Sequence, residues 1–284
     1  MNKIDSKPSI AAIILTKNEE RDLPDCLHSL QEVATEVYVV DSGSTDATHQ
    51  IVQNLGATLL IHPFESHAQQ FNWALDNVVT RADWILRIDA DERLHPDLAR
   101  ELGRIIPSLP LEVTGLVLSR RIRFMSRDMR FGDQYPVWLL RVWRNGAGRC
   151  EDRWMDERII LNSGHALRVR GDLIHEIPKN LTDWTAKHNW YATRECADIL
   201  SSSENVALEG VTGDRRRMKQ SVYLRAPLFY RALAYWFYRY VFKLGFLDGK
   251  EGLIYHFLHG FWYRFLVDAK IYESSVIAQR RNTK

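Results

Sequence analysis

Through its first ninety residues the chain alternates continuous apolar runs with amphipathic stretches, and few architectures accept that alternation. "SIAAIILT" (9–16) is β-branched and uninterrupted, the pattern of a strand buried on both faces. Leu23, Cys26, Leu27 and Leu30 follow at the spacing of one helix face. "EVYVVD" (36–41) reads as a second strand, and the "SGSTD" turn leads into a helix through about Leu55. "ATLLIH" (57–62) is a third strand, a helix is predicted around 66–79, and "DWILRID" (83–89) is a fourth strand. Strands alternating with helices imply right-handed crossovers, hence an α/β fold with a mostly parallel sheet.

In such sheets ligands sit at the carboxyl ends of strands. Polar residues collect there: Thr16, Lys17, Asn18 and Glu19, then Asp41, Ser42 and Ser44, then Asp89 and Asp91. The fourth end is the most demanding, because "WILRIDADE" places Asp89, Asp91 and Glu92 within four residues of one another. Carboxylates so close repel and require compensation. Two residues apart on an extended segment, Asp89 and Asp91 project to the same side. Paired oxygens there suit Mg2+ or Mn2+, whose shell is completed by water and substrate phosphates. The alternatives are a solvated acidic loop, or Asp91 capping a helix that begins near Pro96. A position at the end of a buried strand, beside two other polar strand ends, favours the metal. "LTKNEE" has no glycine, so neither a dinucleotide-binding turn nor a phosphate-binding loop follows the first strand.

"IILTKNEE", "VVDSGSTDAT", "QQFNWAL" and "LRIDADE" stand in the order and spacing of family 2 inverting glycosyltransferases, which roughly residues 1–160 resemble. The tail "GFLDGKEGLIYHFLHGFWYRFLVDAKIYE" is similar to the bacterial subgroup that includes lipopolysaccharide-core β-glucosyltransferases. The resemblance implies a GT-A fold, a nucleotide-diphospho-sugar-binding domain with helices on both faces of the sheet. In it Thr16, Asn18, Glu19 and Ser42 belong to the nucleotide-sugar pocket and Asp41 hydrogen-bonds the base. Asn72 lies near the ribose or diphosphate, Asp89 faces ribose and metal, and Asp91 is the principal metal ligand. Taken singly, Thr16 and Asn18 are equally well strand-end and cap residues, and Asp41 a turn cap. Only their co-location argues for a site.

Inverting transfer needs a carboxylate that takes the acceptor's proton from the face opposite the leaving group. "RWMDERI" (153–159) supplies Asp156 and Glu157. The related subgroup commonly reads His-Glu here with the Glu as base, which points to Glu157; Asp156 replaces the His and leaves both open. The alternative is surface pairing with Arg153 and Arg158. His175 in "DLIHEI" matches a histidine that binds metal in many relatives, or else satisfies a local hydrogen bond. Arg141 matches a recurrent family arginine that holds diphosphate or acceptor, or else is a strand-surface residue.

From residue 213 the character changes. Arg215, Arg216, Arg217, Lys219 and Arg225 precede a helical pattern with Leu233, Trp236, Phe237, Tyr240, Val241 and Leu244 on one face and Arg231, Arg239 and Lys243 on the other. That describes either a helix lying in a membrane interface, each nearby Lys or Arg adding about 1 kcal/mol on anionic lipid, or a helix packing its apolar face on the catalytic domain. Residues 1–212 then form the GT-A domain and 213–284 a basic, aromatic-rich helical tail. Net charge is only +2, which gives no reason to expect nucleic acid. Cys26, Cys150 and Cys196 are scattered, without a disulfide or zinc pattern. With an N-terminal apolar run of six, the expected place is the cytoplasm, peripheral on the inner face of the membrane.

The expected protein is a metal-dependent inverting glycosyltransferase that moves a sugar from a nucleotide-diphosphate donor, UDP-sugar by family analogy, to a lipid-linked saccharide. Lipopolysaccharide core or an envelope polysaccharide precursor fits that acceptor. The competing readings are a non-catalytic nucleotide-sugar-binding or membrane scaffold protein of the same fold, and a nucleotidyltransferase.

Overall fold

The four apolar runs become four adjacent parallel strands. In the computed structural model, which describes residues 9–151, 158–177, 180–204 and 223–282, β1 (Ile10–Thr16), β2 (Glu36–Asp41), β3 (Thr58–Ile61) and β4 (Trp84–Asp89) lie in the order β3-β2-β1-β4. Beyond β4 the sheet becomes mixed. β8 (Val137–Arg144) runs antiparallel between β4 and β6 (Val113–Phe124), followed by β11 (His165–Glu176) and the short β5 (Glu92–Leu94).

Successive strand residues face opposite sides, and β1 fills a core with each. Ile10, Ala12 and Ile14 pack with α1 (Leu23–Leu30), α2 (Thr48–Asn54) and α4 (Pro96–Ile105). Ala11 and Ile13 pack on the other side with α3 (His67–Asn77) and with the hairpin of β9 (Gly148–Cys150) and β10 (Ile159–Leu161). Helices therefore cover both faces. Ser66 caps α3 by accepting from the Gln69 N–H at 3.1 Å. His95, not Asp91, caps α4, with Pro96 at the first helical position.

The chain divides into two compact units, one of residues 1–123 and 135–176, the other of 124–134 and 177–284. The change of composition near residue 213 falls outside the described residues. The second unit contains β7 (Arg127–Met129), α5 (Leu181–Glu204), α6 (Tyr230–Phe237), α7 (Gly249–Tyr255) and α8 (Tyr263–Asn282). Ala192 of α5 packs on Tyr263 and Val267 of α8. Residues 124–134 are stitched into this unit: Asp248 accepts the Arg130 and Phe131 N–H groups at 3.1 Å, and Arg239 Nε donates to the Gly132 carbonyl at 2.6 Å.

α6 turns the opposite way from a simple amphipathic helix. Arg231 and Arg239, expected on the solvent face, are 5% and 7% exposed, whereas Leu233, Phe237, Val241 and Leu244 face outward. The inward charges are matched. Asp268 accepts from Arg231 Nε at 2.8 Å and from the Phe229 N–H at 2.7 Å. Removing one partner of a buried pair strands the other. Asp268→Ala therefore lowers unfolding stability by about 3–5 kcal/mol, while Leu233→Ala on the exposed side stays within about 0.5 kcal/mol. Chemical denaturation followed by tryptophan fluorescence measures both.

Candidate active site

Backbone register brings three strand ends to one rim. Thr16 pairs with Asp41 across β1 and β2, and Leu15 pairs with Asp89 across β1 and β4. The first two ends are laced together. Thr16 Oγ1 donates to Asp41 at 3.1 Å, Ser42 Oγ donates to the Thr16 carbonyl at 3.0 Å, and the Glu19 N–H donates to Thr48 Oγ1 at 3.0 Å. Asn18 adopts φ 57°, and its Oδ1 accepts the Thr45 N–H at 2.8 Å. Asp41 is fully buried and accepts from the Gly43 and Ser44 N–H groups, the Ser44 and Thr16 hydroxyls and His49 Nε2. Burial pushes its carboxyl up, but hydrogen bonds from His49, Ser44 and Gly43 overcome that and hold it at about 2. Both oxygens accept hydrogen bonds here, and Asp41 caps the "SGST" turn.

The acid cluster at the end of β4 is compensated by arginine from inside the fold. Arg141 Nη2 donates to Asp89 Oδ2 and to Glu92 Oε1, both at 2.9 Å. Arg87 Nε stands 4.0 Å from Asp89, and Arg120 Nη1 3.9 Å from Glu92. Glu92 Oε2 accepts the Asp89 N–H at 3.1 Å. The two carboxylates are pulled apart. Burial opposes charge on Asp89, but Arg141, Arg87 and His175 hold it well below the usual carboxylate range. Burial and the neighbouring Asp89 charge push Glu92 up. Arg141, expected to reach diphosphate or acceptor, is 6% exposed and belongs to this internal bridge.

Asp91 parts company with Asp89. The chain turns between β4 and β5, and the two carboxylates have different nearest partners while both lie in the field of His175 and Arg141. Asp89 faces the arginines with 39% of its side chain exposed, and Asp91 faces His175. β11 carries this histidine opposite Glu92 in the register. His175 Nδ1 stands 3.4 Å from Asp91 Oδ1 and is buried without a hydrogen bond of good geometry. Burial lowers the His175 pKa, but Asp91 outweighs it and raises it. An orphaned imidazole nitrogen beside a carboxylate oxygen is a donor set that fits Mn2+ or Mg2+ when phosphates complete the shell. Among the described residues no group of three or more His, Cys, Asp or Glu converges to form a cage. Cys26 senses the local field: burial, then Glu92, Asp91, Asp89 and Glu19, push its thiol well above the ordinary value. The rim is rich in carboxylates, offset in part by Arg87, Arg120 and Arg141.

Asn72 is occupied elsewhere. Its Nδ2 donates to the Cys150 carbonyl and its Oδ1 accepts the Cys150 N–H, each at 2.9 Å, which pins the end of β9. One further rung, from the Glu151 N–H to the Arg158 carbonyl at 2.7 Å, closes the described part of that hairpin. Asp156 and Glu157 lie between, outside the described residues. Sequence reasoning left Glu92, Arg87 and Arg120 without a role. Charged residues inside otherwise apolar strands were the available signal, since such charges are buried only when paired.

This is a sheet of the GT-A kind, with a carboxylate-rich rim at the switch point of its strand order. Residues 11–146 match Glycosyl transferase family 2, and it is to proteins of this kind that the chain is similar. Over 97% of its length it is 27% identical to the lipopolysaccharide core biosynthesis glycosyltransferase LpsC of Rhizobium meliloti, covering 96% of that protein. It is 24% identical to the uncharacterized glycosyltransferase RC0292 of Rickettsia conorii, over 94% of this chain and 91% of the other. The crystal structure of S. aureus TarS 1–349 is a loose likeness, with TM-score 0.42, 16% identity, and 65% of this chain and 64% of that one covered.

Two outcomes are expected from these contacts. Arg141→Ala leaves Asp89 and the buried Glu92 without their shared counter-charge and lowers stability by about 3–5 kcal/mol in denaturant titration. Asp41 has its folded pKa depressed from 3.8 to about 2, so its stabilisation is complete above about pH 4 and fades as pH falls towards 2. The melting-temperature gap between wild type and Asp41→Asn therefore narrows from pH 7 to pH 3, read by scanning calorimetry.

Proposed function

We propose that the chain transfers a sugar, with inversion at the anomeric carbon, from a UDP-sugar to a lipid-linked saccharide of the lipopolysaccharide-core or envelope-polysaccharide type, at the inner face of the membrane. The observation that carries the proposal is the Asp91–His175 pair, with its orphaned nitrogen, on the same rim as Asp89 and the woven ends of β1 and β2. The full-length similarity to LpsC, by its name a lipopolysaccharide core enzyme, supports the acceptor class.

In this reading Thr16, Asn18, Glu19 and Ser42 shape the nucleotide pocket through backbone groups that their own hydrogen bonds hold in place. Asp91 and His175 hold Mg2+ or Mn2+, with Asp89 beside them facing the ribose. When bound, the cation supplies charge stabilisation to the departing diphosphate. Arg141 acts as a positioning residue for Asp89. The acceptor hydroxyl attacks the anomeric carbon, the bond to the diphosphate oxygen breaks, and the proton goes to the Glu157 carboxylate, with Asp156 as the second candidate. Asn72, by clamping Cys150, fixes the strand end that precedes residues 152–157 in the chain.

Radiolabelled UDP-sugar, Mn2+ and envelope lipid extract test this. Glu157→Gln is expected to lower kcat by 10²–10⁴-fold, the usual contribution of a general base, with Asp156→Asn nearly unaffected; the reverse ordering would move the base to Asp156. Asp91→Asn with His175→Ala removes metal-dependent donor hydrolysis and the thermal stabilisation by UDP with Mn2+. Unchanged stabilisation in that variant would overturn the metal assignment. Pyrophosphate release from a nucleoside triphosphate would instead identify a nucleotidyltransferase, and nucleotide-sugar binding without turnover a scaffold.

A further inference from the structure

One face of the second unit is apolar and exposed. Along α6 and the π-helical turn that continues it, Tyr230, Leu233, Phe237 and Val241 recur on one stripe, and Leu233 and Phe237 are 50% and 49% exposed. Phe242, 69% exposed, adds its ring 5.7 Å from that of Phe237. A second run of rings adjoins this stripe through Trp236. Phe265, Phe261 and Phe257 follow one another at 5.6 and 5.4 Å, Trp236 lies 6.5 Å from Phe257, and Tyr240 stacks on Trp236 at 5.5 Å. The arginines of the same helix point inward and are occupied by Asp268, Tyr235 and the Gly132 carbonyl. A helix that buries its charges and exposes its apolar face is arranged for surroundings less polar than water.

Resting on the lipid-linked acceptor proposed above, we infer that this face of α6 and its neighbouring rings seats the second unit in the interfacial zone of an anionic bilayer, apolar stripe first. Charge selects this occupant over a second copy of the chain. Residues 214–284 hold 14 Lys and Arg against 5 Asp and Glu, so two copies meeting here would repel, whereas anionic headgroups attract. Arg225 and Lys250 are exposed and can meet headgroups, whereas Lys243 is paired with Asp133 at 3.5 Å. No helix among the described residues is long and apolar enough to cross a membrane. The contact is therefore one of lying on the surface.

This differs in kind from the basic-face contact that the helical pattern first suggests. Arg231 and Arg239 are structural, and the lipid-facing work falls to Leu233, Phe237 and Phe242. Binding should then survive moderate salt, because apolar burial is not screened.

The test is flotation of the full chain with vesicles of phosphatidylcholine and phosphatidylglycerol, against phosphatidylcholine alone. Wild type floats with the anionic vesicles and keeps most of its binding at 0.5 M salt, well beyond the range in which exposed charges interact. Leu233→Asp with Phe237→Asp, both exposed, keeps the circular dichroism spectrum and Mn2+-dependent hydrolysis of UDP-sugar but loses roughly thirtyfold or more of vesicle affinity. Asp91→Asn loses hydrolysis and floats as wild type, so failure of the active-site reading is distinguishable from failure of this one. Folded wild type that stays unbound, an Asp double variant that floats undiminished, or vesicle-free self-association abolished by that variant would each overturn the inference. The last outcome would make the face an interface between copies.

Discussion

Arg141 reaches from β8 to the end of β4 and donates to Asp89 and Glu92 at 2.9 Å each, and the acid cluster exists in a folded protein because of that reach. Three carboxylates within four residues repel, and a buried glutamate without a counter-charge would take up a proton or unfold its surroundings. One guanidinium nitrogen, Arg141 Nη2, serves both carboxylates at once. Arg87 and Arg120 add charge behind it. The sheet's departure from all-parallel order is part of the same device, since β8 enters antiparallel beside β4 and so sets Arg141 against the strand end.

The bridge also divides labour among the carboxylates. Asp89 and Glu92 are held by arginine, and Asp91, at the turn between β4 and β5, stands beside His175. His175 Nδ1 there is buried 3.4 Å from Asp91 Oδ1. Next to it the ends of β1 and β2 are tied by Thr16, Ser42 and the turn around Asp41. Strand ends laced in this way beside the Asp91–His175 pair are the kind of preorganisation that the proposed transfer would use.

The second unit solves the opposite problem. On α6 and the turn after it two charges are inside and matched, Arg231 by Asp268 and Arg239 by a carbonyl and a tyrosine hydroxyl, while Leu233, Phe237 and Phe242 are outside. Buried ion pairs seldom add much net stability, but breaking one is costly. Such pairs hold α6 in one rotation about its axis, and that rotation decides which side chains meet the surroundings.

The alternation of β1 to β4 with α1 to α3 was legible in the residues, because period and length are local properties that survive any packing. So was the gathering of polar groups at strand ends, since every parallel strand in such a sheet delivers its carboxyl end to the same side. Which acid meets which base was not legible. Arg141 lies about fifty residues from Asp89, and only the insertion of β8 brings them together. For the same reason the contact of Asn72 with Cys150, 78 residues away in the chain, was not legible from spacing. The helical spacing of residues 231–244 established two unlike faces from sequence alone. Which face looks outward was decided by Asp268 and Gly132, distant partners that draw the arginines in, because a buried charge goes where its counter-charge already stands.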